Sequence, residues 1–208
     1  MAGLQGSLLD VADDLALRPL DGKVERTALA LGAWVDVRRG WLAAADLLYD
    51  ALRRDVPWQA ERRQMYDAVV DVPRLTRFYA EAETLPHPVL DRAREVLSDH
   101  YEPDLGEPFV TAGLCLYRDG RDSVAWHGDR IGRARGLDTV VAILSVGADR
   151  PLVLRPRGGG PSQRFAAGHG DLVVMGGSCQ RTWDHAVLKT TRAVGPRISV
   201  QFRTRGVR

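Results

Sequence analysis

The sequence predicts an α+β protein that is mostly β, with a double-stranded β-helix, or jelly roll, flanked by N-terminal helices. From residue 108 onward, short apolar segments alternate with turns such as Asp119-Gly120 and Gly176-Gly177, a pattern typical of sandwiches and barrels. Ahead of residue 108, two segments carry apolar residues at helical spacing. Two helices followed by up to eight short strands favour a jelly roll that the helices brace on one sheet.

The composition indicates one domain that spans residues 1–208. Of these residues, 45% are hydrophobic and 27% are charged, which suits a chain that buries its own core. The formal net charge of +2 excludes a polycation but permits a local basic face. No apolar run is long enough to span a bilayer, residues 1–7 lack the charged start of a signal peptide, and Cys115 and Cys179 form no disulfide framework. We expect a cytoplasmic monomer that does not associate with membranes.

Residues 1–107 are predicted to form an arm and a support region. Residues 1–25 are the N-terminal arm, a short helix or loose segment around residues 8–17. Residues 26–107 are a helix–strand support and lid region, where the spacing of apolar residues and the break at Pro57 predict four elements. These are a strand over 27–35, a helix over 41–53, a strand over 65–70 and a helix over 89–101.

Residues 108–208 are predicted to form the jelly-roll core. Apolar or alternating segments, each bounded by Gly, Pro or Asp turns, predict its strands. The eight strands run over 109–117, 123–127, 138–146, 151–156, 163–167, 171–175, 180–187 and 197–203. A chain that folds back so often brings distant residues onto neighbouring strands.

Two histidines and an aspartate in this core form a candidate metal site. In the stretch Trp126-His127-Gly128-Asp129 the two possible ligands stand two residues apart, so a strand or strand end directs both side chains to one face. His185 follows 185 − 127 = 58 residues later, which leaves room for intervening strands. Two imidazoles and one carboxylate are the facial triad of non-haem Fe(II) oxygenases, which indicates redox catalysis. The alternatives are a chance HxD and a hydrogen-bonded strand-end histidine.

The last predicted strand has one polar and one apolar face. Arg197, Ser199, Gln201 and Arg203 fall on the polar face. An arginine at each end suits a small dicarboxylate lying along the strand, because guanidinium groups match carboxylates bidentately. 2-Oxoglutarate is such a dicarboxylate, and it also chelates iron through its keto-acid end. The alternative is a solvated basic terminus, but the order of HxD, histidine and two arginines favours a joint site.

Several segments of the chain occur in a characteristic order. They are Asp55-Val56-Pro57-Trp58, Pro73-Arg74-Leu75-Thr76 with Tyr79, His87-Pro88-Val89-Leu90, residues 116–123, Trp126-His127-Gly128-Asp129, residues 170–175, residues 180–185, and Pro196-Arg197 with Phe202-Arg203. This ordered set resembles the AlkB family of Fe(II)- and 2-oxoglutarate-dependent dioxygenases, in particular the branch that contains nucleic-acid repair demethylases. The resemblance extends over roughly residues 45–205.

The resemblance implies a cofactor set and a role for each group. The facial triad described above would hold Fe(II) and carry the catalysis. Tyr117, Arg197 and Arg203 would bind 2-oxoglutarate, with the arginines pairing with its carboxylates and the phenol donating a hydrogen bond. With O2, the reaction would hydroxylate an N-methyl group that is then lost as formaldehyde, releasing succinate and CO2.

The sequence departs from the family pattern in three places. Cys115 and Ser199 stand where the family often has asparagine, so these two co-substrate contacts have weaker donors and binding relies more on the arginines. Residues 130–132 replace the acidic residues that usually follow the HxD in relatives acting on methylated bases. The aromatic hairpin lid is shortened after Tyr79, where residues 80–86 lead directly into the second helix.

These observations predict a dioxygenase that demethylates N-alkylated bases of DNA or RNA, as in alkylation repair. An extruded base would contact aromatic side chains, for which Tyr79 and Trp126 are the candidates. Arginines around the iron would contact phosphates. The arginine candidates are Arg118, Arg121, Arg130 and Arg133. Core packing is the alternative for Trp126, and a solvated surface is the alternative for the arginines.

Two other functions fit part of the pattern. A 2-oxoglutarate-dependent hydroxylase of a protein or small molecule fits the shortened lid and the missing acidic residues. A non-catalytic nucleic-acid binder would keep the fold but lose co-substrate affinity through Cys115. The complete set of iron ligands and both arginines of the last strand argue against this third function.

Overall fold

The structure, a computed structural model, describes residues 14–65, 68–129 and 137–207. Over these residues the chain forms fourteen strands and three helices. The predicted mostly-β class is confirmed. None of the helices in the described residues is both long enough and apolar enough to cross a membrane.

The strands and helices are numbered in chain order. The strands are β1 Ala16–Leu17, β2 Glu25–Ala28, β3 Ala33–Arg38, β4 Leu42–Ala43, β5 Gln59–Met65, β6 Ala68–Tyr79, β7 Thr111–Tyr117, β8 Val124–His127, β9 Val141–Gly147, β10 Leu152–Pro156, β11 Gln163–Phe165, β12 Leu172–Gly177, β13 Trp183–Val187 and β14 Arg197–Arg203. The helices are α1 Ala45–Asp55, α2 Pro88–Leu105 and α3 Cys179–Thr182.

Two antiparallel sheets pack face to face. The major sheet has the order β2-β3-β12-β9-β14-β7-β6-β5, and the minor sheet has the order β11-β10-β13-β8. One apolar cluster lies between them, with Val173 and Met175 from the major sheet against Leu154 and Trp183 from the minor sheet. Its residues come from alternate positions along the strands, as a sandwich requires. The predicted jelly-roll strands thus form the two layers of a β-sandwich.

The helices cover the other face of the major sheet. Leu48 of α1 and Leu97 of α2 are fully buried in a second apolar cluster with Val200 and Phe202 of β14. Strand β14 lies between β7 and β9, so its apolar residues face the helices and its polar residues face the minor sheet. This confirms the predicted two-faced strand and aims four polar side chains at the interior of the sandwich.

Both long helices end where the sequence dictates. Helix α1 stops at Asp55, because the residue that precedes Pro57 takes an extended conformation, with ψ 128 at Val56. Helix α2 begins after His87, whose Nδ1 accepts a hydrogen bond from the Val89 backbone N–H at 3.1 Å. It ends at Gly106 with φ 66, the left-handed conformation that favours glycine at a helix end.

Three predicted elements are wrong in detail. The single strand predicted over 27–35 is interrupted by a 3₁₀ turn at Ala30–Gly32. The strand predicted over 65–70 spans the tip of a hairpin, because β5 and β6 pair with Met65 opposite Ala68. The strand predicted over 180–187 begins as the short helix α3. In each case one predicted strand covers two segments that the structure separates.

The N-terminal region differs from the prediction, and a hairpin stands ahead of the predicted short lid. Residues 16–17 form strand β1 paired with β4, rather than the end of a helix, and residues 1–13 lie outside the described residues. The family pattern led us to expect a shortened lid after Tyr79, and residues 80–86 run from β6 to α2 without a strand. A hairpin of β5 and β6 comes before this segment. This hairpin extends the major sheet beyond β7, so the chain does have a long hairpin beside the site strands.

Candidate metal centre and adjoining cavity

Two strands of the minor sheet bring the predicted metal ligands together. His127 ends β8, and its Cα is the direct partner of the Cα of His185 on β13. The two ring centroids are 4.2 Å apart. Asp129 follows two residues after His127, and its Oδ1 lies 3.5 Å from Nε2 of His127. One ligand atom from each of the three residues lies within 4.8 Å of the others, which is close enough to share one ion.

The segment after β8 is held in place by a close approach to α3. The Asp129 backbone N–H donates to Oε1 of the buried Gln180 at 3.0 Å. A Cβ atom on Gly128 would lie 2.7 Å from the carbonyl oxygen of Gln180. Residue 128 must therefore be glycine for the segment to approach Gln180 this closely. Packing thus explains the glycine between His127 and Asp129.

Hydrogen bonding selects which nitrogen of His127 faces the centre. Its Nδ1 lies 2.8 Å from the carbonyl oxygen of Ala125. A carbonyl only accepts, so Nδ1 carries the proton and donates it. The Nε2 lone pair is then free to bind a metal, which is the usual arrangement for a histidine ligand.

Burial and charge keep the other two ligands in their metal-binding forms. Burial opposes the charged form of Asp129, but the Arg203 guanidinium and the His127 ring outweigh it and hold the pKa of Asp129 well below its usual range. Nε of Arg203 donates to Oδ2 of Asp129 at 2.8 Å. Burial lowers the pKa of His185 to about 3, so its imidazole is neutral at physiological pH. The ionised Asp129 carboxylate, the neutral His185 imidazole and the Nε2 of His127 together fit a divalent cation.

A cavity adjoins the two histidine ligands and runs along the polar face of β14. Its walls come from β6, β7, β9, β10 and β14 as well as the two histidine strands. The residues that line it are Arg74, Cys115, Tyr117, Val124, His127, Ile143, Leu152, His185, Val187, Arg197, Ser199, Gln201 and Arg203. All five residues predicted to bind the co-substrate are among them.

Arg197 lines this cavity and has one unsatisfied guanidinium nitrogen. The residue is 1% exposed, and its Nε donates to Oγ of Ser145 at 2.8 Å. Among the described residues, none accepts a hydrogen bond from its Nη1. A buried, charged N–H without an acceptor is costly, and a carboxylate group in the cavity would supply the acceptor.

The remaining polar residues form a connected series beside Arg197. The Cys115 thiol donates to Oε1 of Gln201 across 3.8 Å. The Gln201 amide donates to the backbone oxygen of Ser199 at 3.0 Å and also to the Ser199 hydroxyl. Burial raises the pKa of Tyr117 to about 12, so its phenol stays protonated and available as a donor. The cavity thus has a cationic end at Arg197 and neutral donors beside it, which fits a dicarboxylate.

A comparison with protein families decides the assignment. Residues 45–203 match the family model described as the 2OG-Fe(II) oxygenase superfamily. The chain belongs to the 2OG-Fe(II) oxygenase superfamily. The members of this family are oxidoreductases that use Fe(II), 2-oxoglutarate and O2. The donor set and the cavity described above fit both the metal and the co-substrate.

Relatives of the chain place it on the AlkB-like side of the superfamily. Human alpha-ketoglutarate-dependent dioxygenase alkB homolog 3 is 32% identical over 204 residues, which cover 87% of this chain and 66% of the relative. The bovine homolog 3 is 33% identical over 186 residues, which cover 78% and 62%. Human DNA oxidative demethylase ALKBH2 is 29% identical over 184 residues, which cover 77% and 69%. The chain spans less than two thirds of the length of these homolog 3 proteins.

Solved structures confirm the fold of this AlkB-like oxygenase. The structure of OsALKBH1 superposes with a TM-score of 0.61 at 12% identity, covering 86% of this chain and 100% of that one. A 2OG-Fe(II) oxygenase family oxidoreductase from Burkholderia pseudomallei gives a TM-score of 0.57 at 17% identity, covering 82% and 85%. These similarities establish the jelly roll.

The aromatic residues predicted to contact a substrate lie elsewhere. Tyr79 is 6% exposed and packs in the core between the major sheet and the helices, with the Arg77 guanidinium 4.7 Å from its ring. Trp126 is half-buried beneath Arg155, 4.3 Å from ring centroid to guanidinium. Neither residue lines the cavity. The assignment of Tyr79 to substrate stacking is therefore corrected to core packing, and Trp126 stays a prediction.

The predicted arginine rim is corrected in part. Arg118 and Arg121 lie on the loop that precedes β8, whereas His127 ends that strand, roughly 10 Å further along. Both are paired with carboxylates of their own loop, Arg118 with Asp122 at 2.8 Å and Arg121 with Asp119 at 2.7 Å. They do not border the metal centre. Arg130 and Arg133 lie outside the described residues.

Four residues contribute to the site without having been assigned a role from the sequence. They are Arg74, Ser145, Gln180 and Gln201. Ser145 interrupts an otherwise apolar strand, and that polar residue in a buried run is a readable signal. Gln201 was placed on the correct face of β14 by alternation. The roles of Arg74 and Gln180 depend on contacts between distant segments, which one sequence does not reveal.

Proposed function

We propose that this protein is an Fe(II)- and 2-oxoglutarate-dependent dioxygenase that demethylates N-alkylated bases in DNA or RNA. The products would be formaldehyde, succinate, CO2 and the unmodified base. The observation that carries the proposal is the buried Arg197 with its unpartnered Nη1, in the same cavity that the His127 and His185 rings line. Such a cavity suits a dicarboxylate that binds the arginine at one end and the metal at the other.

Each residue of the site has a proposed task. His127, Asp129 and His185 would hold Fe(II). When bound, the metal with 2-oxoglutarate and O2 supplies the oxidising power that hydroxylates an N-methyl carbon. The resulting hemiaminal breaks down to formaldehyde and the free base without needing a protein base. Arg197 would bind the far carboxylate of the co-substrate, and Tyr117 would donate a hydrogen bond to it from its neutral phenol.

Arg203 would serve both the metal and the co-substrate. Its Nε is already bonded to Asp129, so it fixes the carboxylate ligand and places a positive charge near the keto-acid end of the cavity. Cys115 and Ser199 would make weaker contacts with the co-substrate, oriented by Gln201. The apolar side chains of Val124, Ile143 and Leu152 complete the wall and limit the access of water.

The test is a coupled assay of products. Purified protein with Fe(II) and 2-oxoglutarate is incubated with matched methylated and unmethylated oligonucleotides, as single- and double-stranded DNA and as RNA. Succinate and formaldehyde should appear in equal amounts on at least one methylated strand and not on its unmethylated partner. A His185→Ala variant serves as the control without a complete metal site. Succinate release that no methylated strand stimulates would reject the nucleic-acid substrate and keep the dioxygenase.

A second function has one observation in its favour. Among the described residues, the aromatic side chains that line the cavity are Tyr117 and the two histidines. All three have proposed tasks toward the co-substrate or the metal, so this wall has no further aromatic side chain to stack on a base. A hydroxylase acting on a protein or small molecule needs no such partner. Turnover with a peptide or metabolite pool, and none with any oligonucleotide, would favour it.

A further inference from the structure

A second cavity lies on the opposite face of β10 from the metal centre. Leu152 and Val187 line the first cavity, whereas Val153 and Leu188, each one residue further on, line the second. Adjacent strand residues point to opposite faces, so one layer of β-structure separates the two. The second cavity has a volume of about 490 Å³ and is bounded by the loops at 149–151 and 188–194. We call it the basic pocket.

The walls of the basic pocket carry four cations and one carboxylate. The cations are Arg150, Arg164, Lys189 and Arg192, and the carboxylate is Asp149. The pocket therefore has an excess of three positive charges, counted as 4 − 1 from its lining residues. Its other lining residues are apolar except for Thr190, and Pro151 and Val194 are examples. The pocket therefore offers both charge and a surface for a sugar or base to pack against.

These cations differ from most arginines of the chain in having no carboxylate partner. Elsewhere, Arg26 pairs with Asp36 at 2.8 Å and Arg39 pairs with Asp171 at 2.7 Å, and many exposed arginines do the same. In the portion of the chain that the structure describes, the side chains of Arg164, Lys189 and Arg192 make no ion pair and no hydrogen bond. Their charge is left for a ligand from outside the chain.

A buried arginine gives the basic pocket a fixed floor. Arg150 is 2% exposed, and it donates to three backbone carbonyls, those of Asp119, Asp122 and Leu188, each at 2.8 Å. It ties the loop before β8 to the loop that carries the exposed cations. The Thr190 N–H also donates to the Gly120 carbonyl at 2.8 Å. The site is therefore organised before a ligand arrives, which reduces the entropy lost on binding.

We propose that the basic pocket binds backbone phosphates of the nucleic-acid strand whose modified base enters the metal centre. This proposal rests on the proposed function. Phosphates attract unpaired arginines and lysines, and release of their counterions supplies sequence-independent affinity. The pocket is larger than one phosphate needs, and its apolar walls suit the adjoining nucleoside. The two cavities lie on opposite faces of the minor sheet, so a strand that occupies both would pass around the edge of that sheet.

The experiment compares two double variants of equal charge. Lys189→Glu with Arg192→Glu alters the pocket, whereas Lys23→Glu with Arg53→Glu alters exposed cations outside it; each pair changes the net charge by the same amount. The binding of a labelled 12-nucleotide single strand is measured by fluorescence anisotropy over a series of salt concentrations. The pocket variant should bind at least tenfold more weakly. The slope of log affinity against log salt should fall by about 0.7 for each phosphate that the variant no longer neutralises.

The controls separate this proposal from the proposed function. Decarboxylation of 2-oxoglutarate without nucleic acid should be unchanged in both double variants, which shows an intact metal centre. If the two double variants bind the oligonucleotide equally well, the proposed role of the basic pocket is rejected, even if the demethylation assay succeeds. A selective loss of binding together with no demethylation of any strand supports the pocket and rejects the demethylase. If a nucleoside monophosphate binds as tightly as the 12-nucleotide strand, the proposed strand is rejected as the ligand. The pocket would then bind a free nucleotide.

Discussion

Nε of Arg203 donates a hydrogen bond to Oδ2 of Asp129 at 2.8 Å, and this bond joins the two halves of the site. Arg203 ends β14, and Asp129 follows β8 in the opposite sheet. Both side chains are largely withdrawn from solvent, at 13% and 3% exposure. A charged pair in such a position is strongly interdependent, because removing one partner leaves the other buried and uncompensated. The co-substrate half of the site thereby controls the geometry of a metal ligand.

We expect Arg203→Lys to weaken the binding of both ligands. Lysine keeps the charge but cannot offer the guanidinium fork to a carboxylate, so the 2-oxoglutarate dissociation constant should rise about tenfold or more, in line with the loss of a charged hydrogen bond. Mn(II) affinity should fall severalfold because Asp129 loses its orienting partner. Calorimetric titration of each ligand measures both. Arg205→Lys is the control, because Arg205 is an exposed neighbour paired with Glu81. Unchanged Mn(II) affinity in Arg203→Lys would show that the co-substrate half of the site does not control the metal half.

We expect Gly128→Ala to damage the metal centre selectively. The added Cβ would lie 2.7 Å from the Gln180 carbonyl oxygen, so the segment carrying Asp129 must move. Mn(II) affinity should fall at least tenfold while far-ultraviolet circular dichroism stays the same. Gly158→Ala is the matched control, since a Cβ there meets nothing within 4 Å. If both variants bind metal like the parent, the close approach does not set the position of Asp129.

We expect Gln201→Leu to affect co-substrate binding more than turnover. The leucine fills a similar volume but removes the amide that links Cys115 to Ser199. The KM for 2-oxoglutarate should rise roughly tenfold, because Cys115 and Ser199 lose the amide that orients their hydrogen bonds to the charged co-substrate. The kcat should change much less, because these contacts are the same in the ground and transition states.

A double-mutant cycle tests whether Gln201 acts through Ser199. If it does, Ser199→Ala should add little to the effect of Gln201→Leu, since both remove the same link. Cys115→Ala should raise KM less than Gln201→Leu does, because a thiol is a weak donor. Fully additive effects of the Gln201 and Ser199 changes would show that the two side chains contact the co-substrate independently.

We expect the two cysteines to differ in reactivity. Burial raises the pKa of the Cys179 thiol to about 12, and the residue is 1% exposed, so it should resist alkylation at pH 8. Cys115 lines the cavity and should react with iodoacetamide. Mn(II) with 2-oxoglutarate should protect Cys115, as followed by peptide mass spectrometry. Labelling of Cys115 at the same rate with and without the co-substrate would place 2-oxoglutarate elsewhere.

Periodicity predicted the site strands because burial alone decides their pattern. Arg197 and Arg203 alternate with apolar residues that pack on α1 and α2, and that alternation is written in the sequence. The residue types of His127 and His185 predicted that they bind one metal. Their position opposite each other comes from the antiparallel pairing of β8 with β13. The metal site was therefore predictable from residue types, and its geometry came from the sheet.

Other features could not be predicted because distant contacts determine them. Strand β5 contains Gln59 and Arg62 with little apolar alternation, and pairing with β6 makes it a strand. Arg118 and Arg121 are close in sequence to His127. They precede β8, however, and His127 is its last residue, so the length of the strand separates them. Tyr79 lies in the core because β6 continues to that point. Sequence proximity is a poor guide to position around a β-sandwich.

The unpartnered Nη1 of Arg197 has a consequence for the stability of the protein, apart from catalysis. A metabolite that satisfies it binds the folded chain and not the unfolded one, so it stabilises the native state by about 2.7 kcal/mol at a hundredfold excess over its dissociation constant. Its melting temperature should therefore rise with the concentration of that ligand.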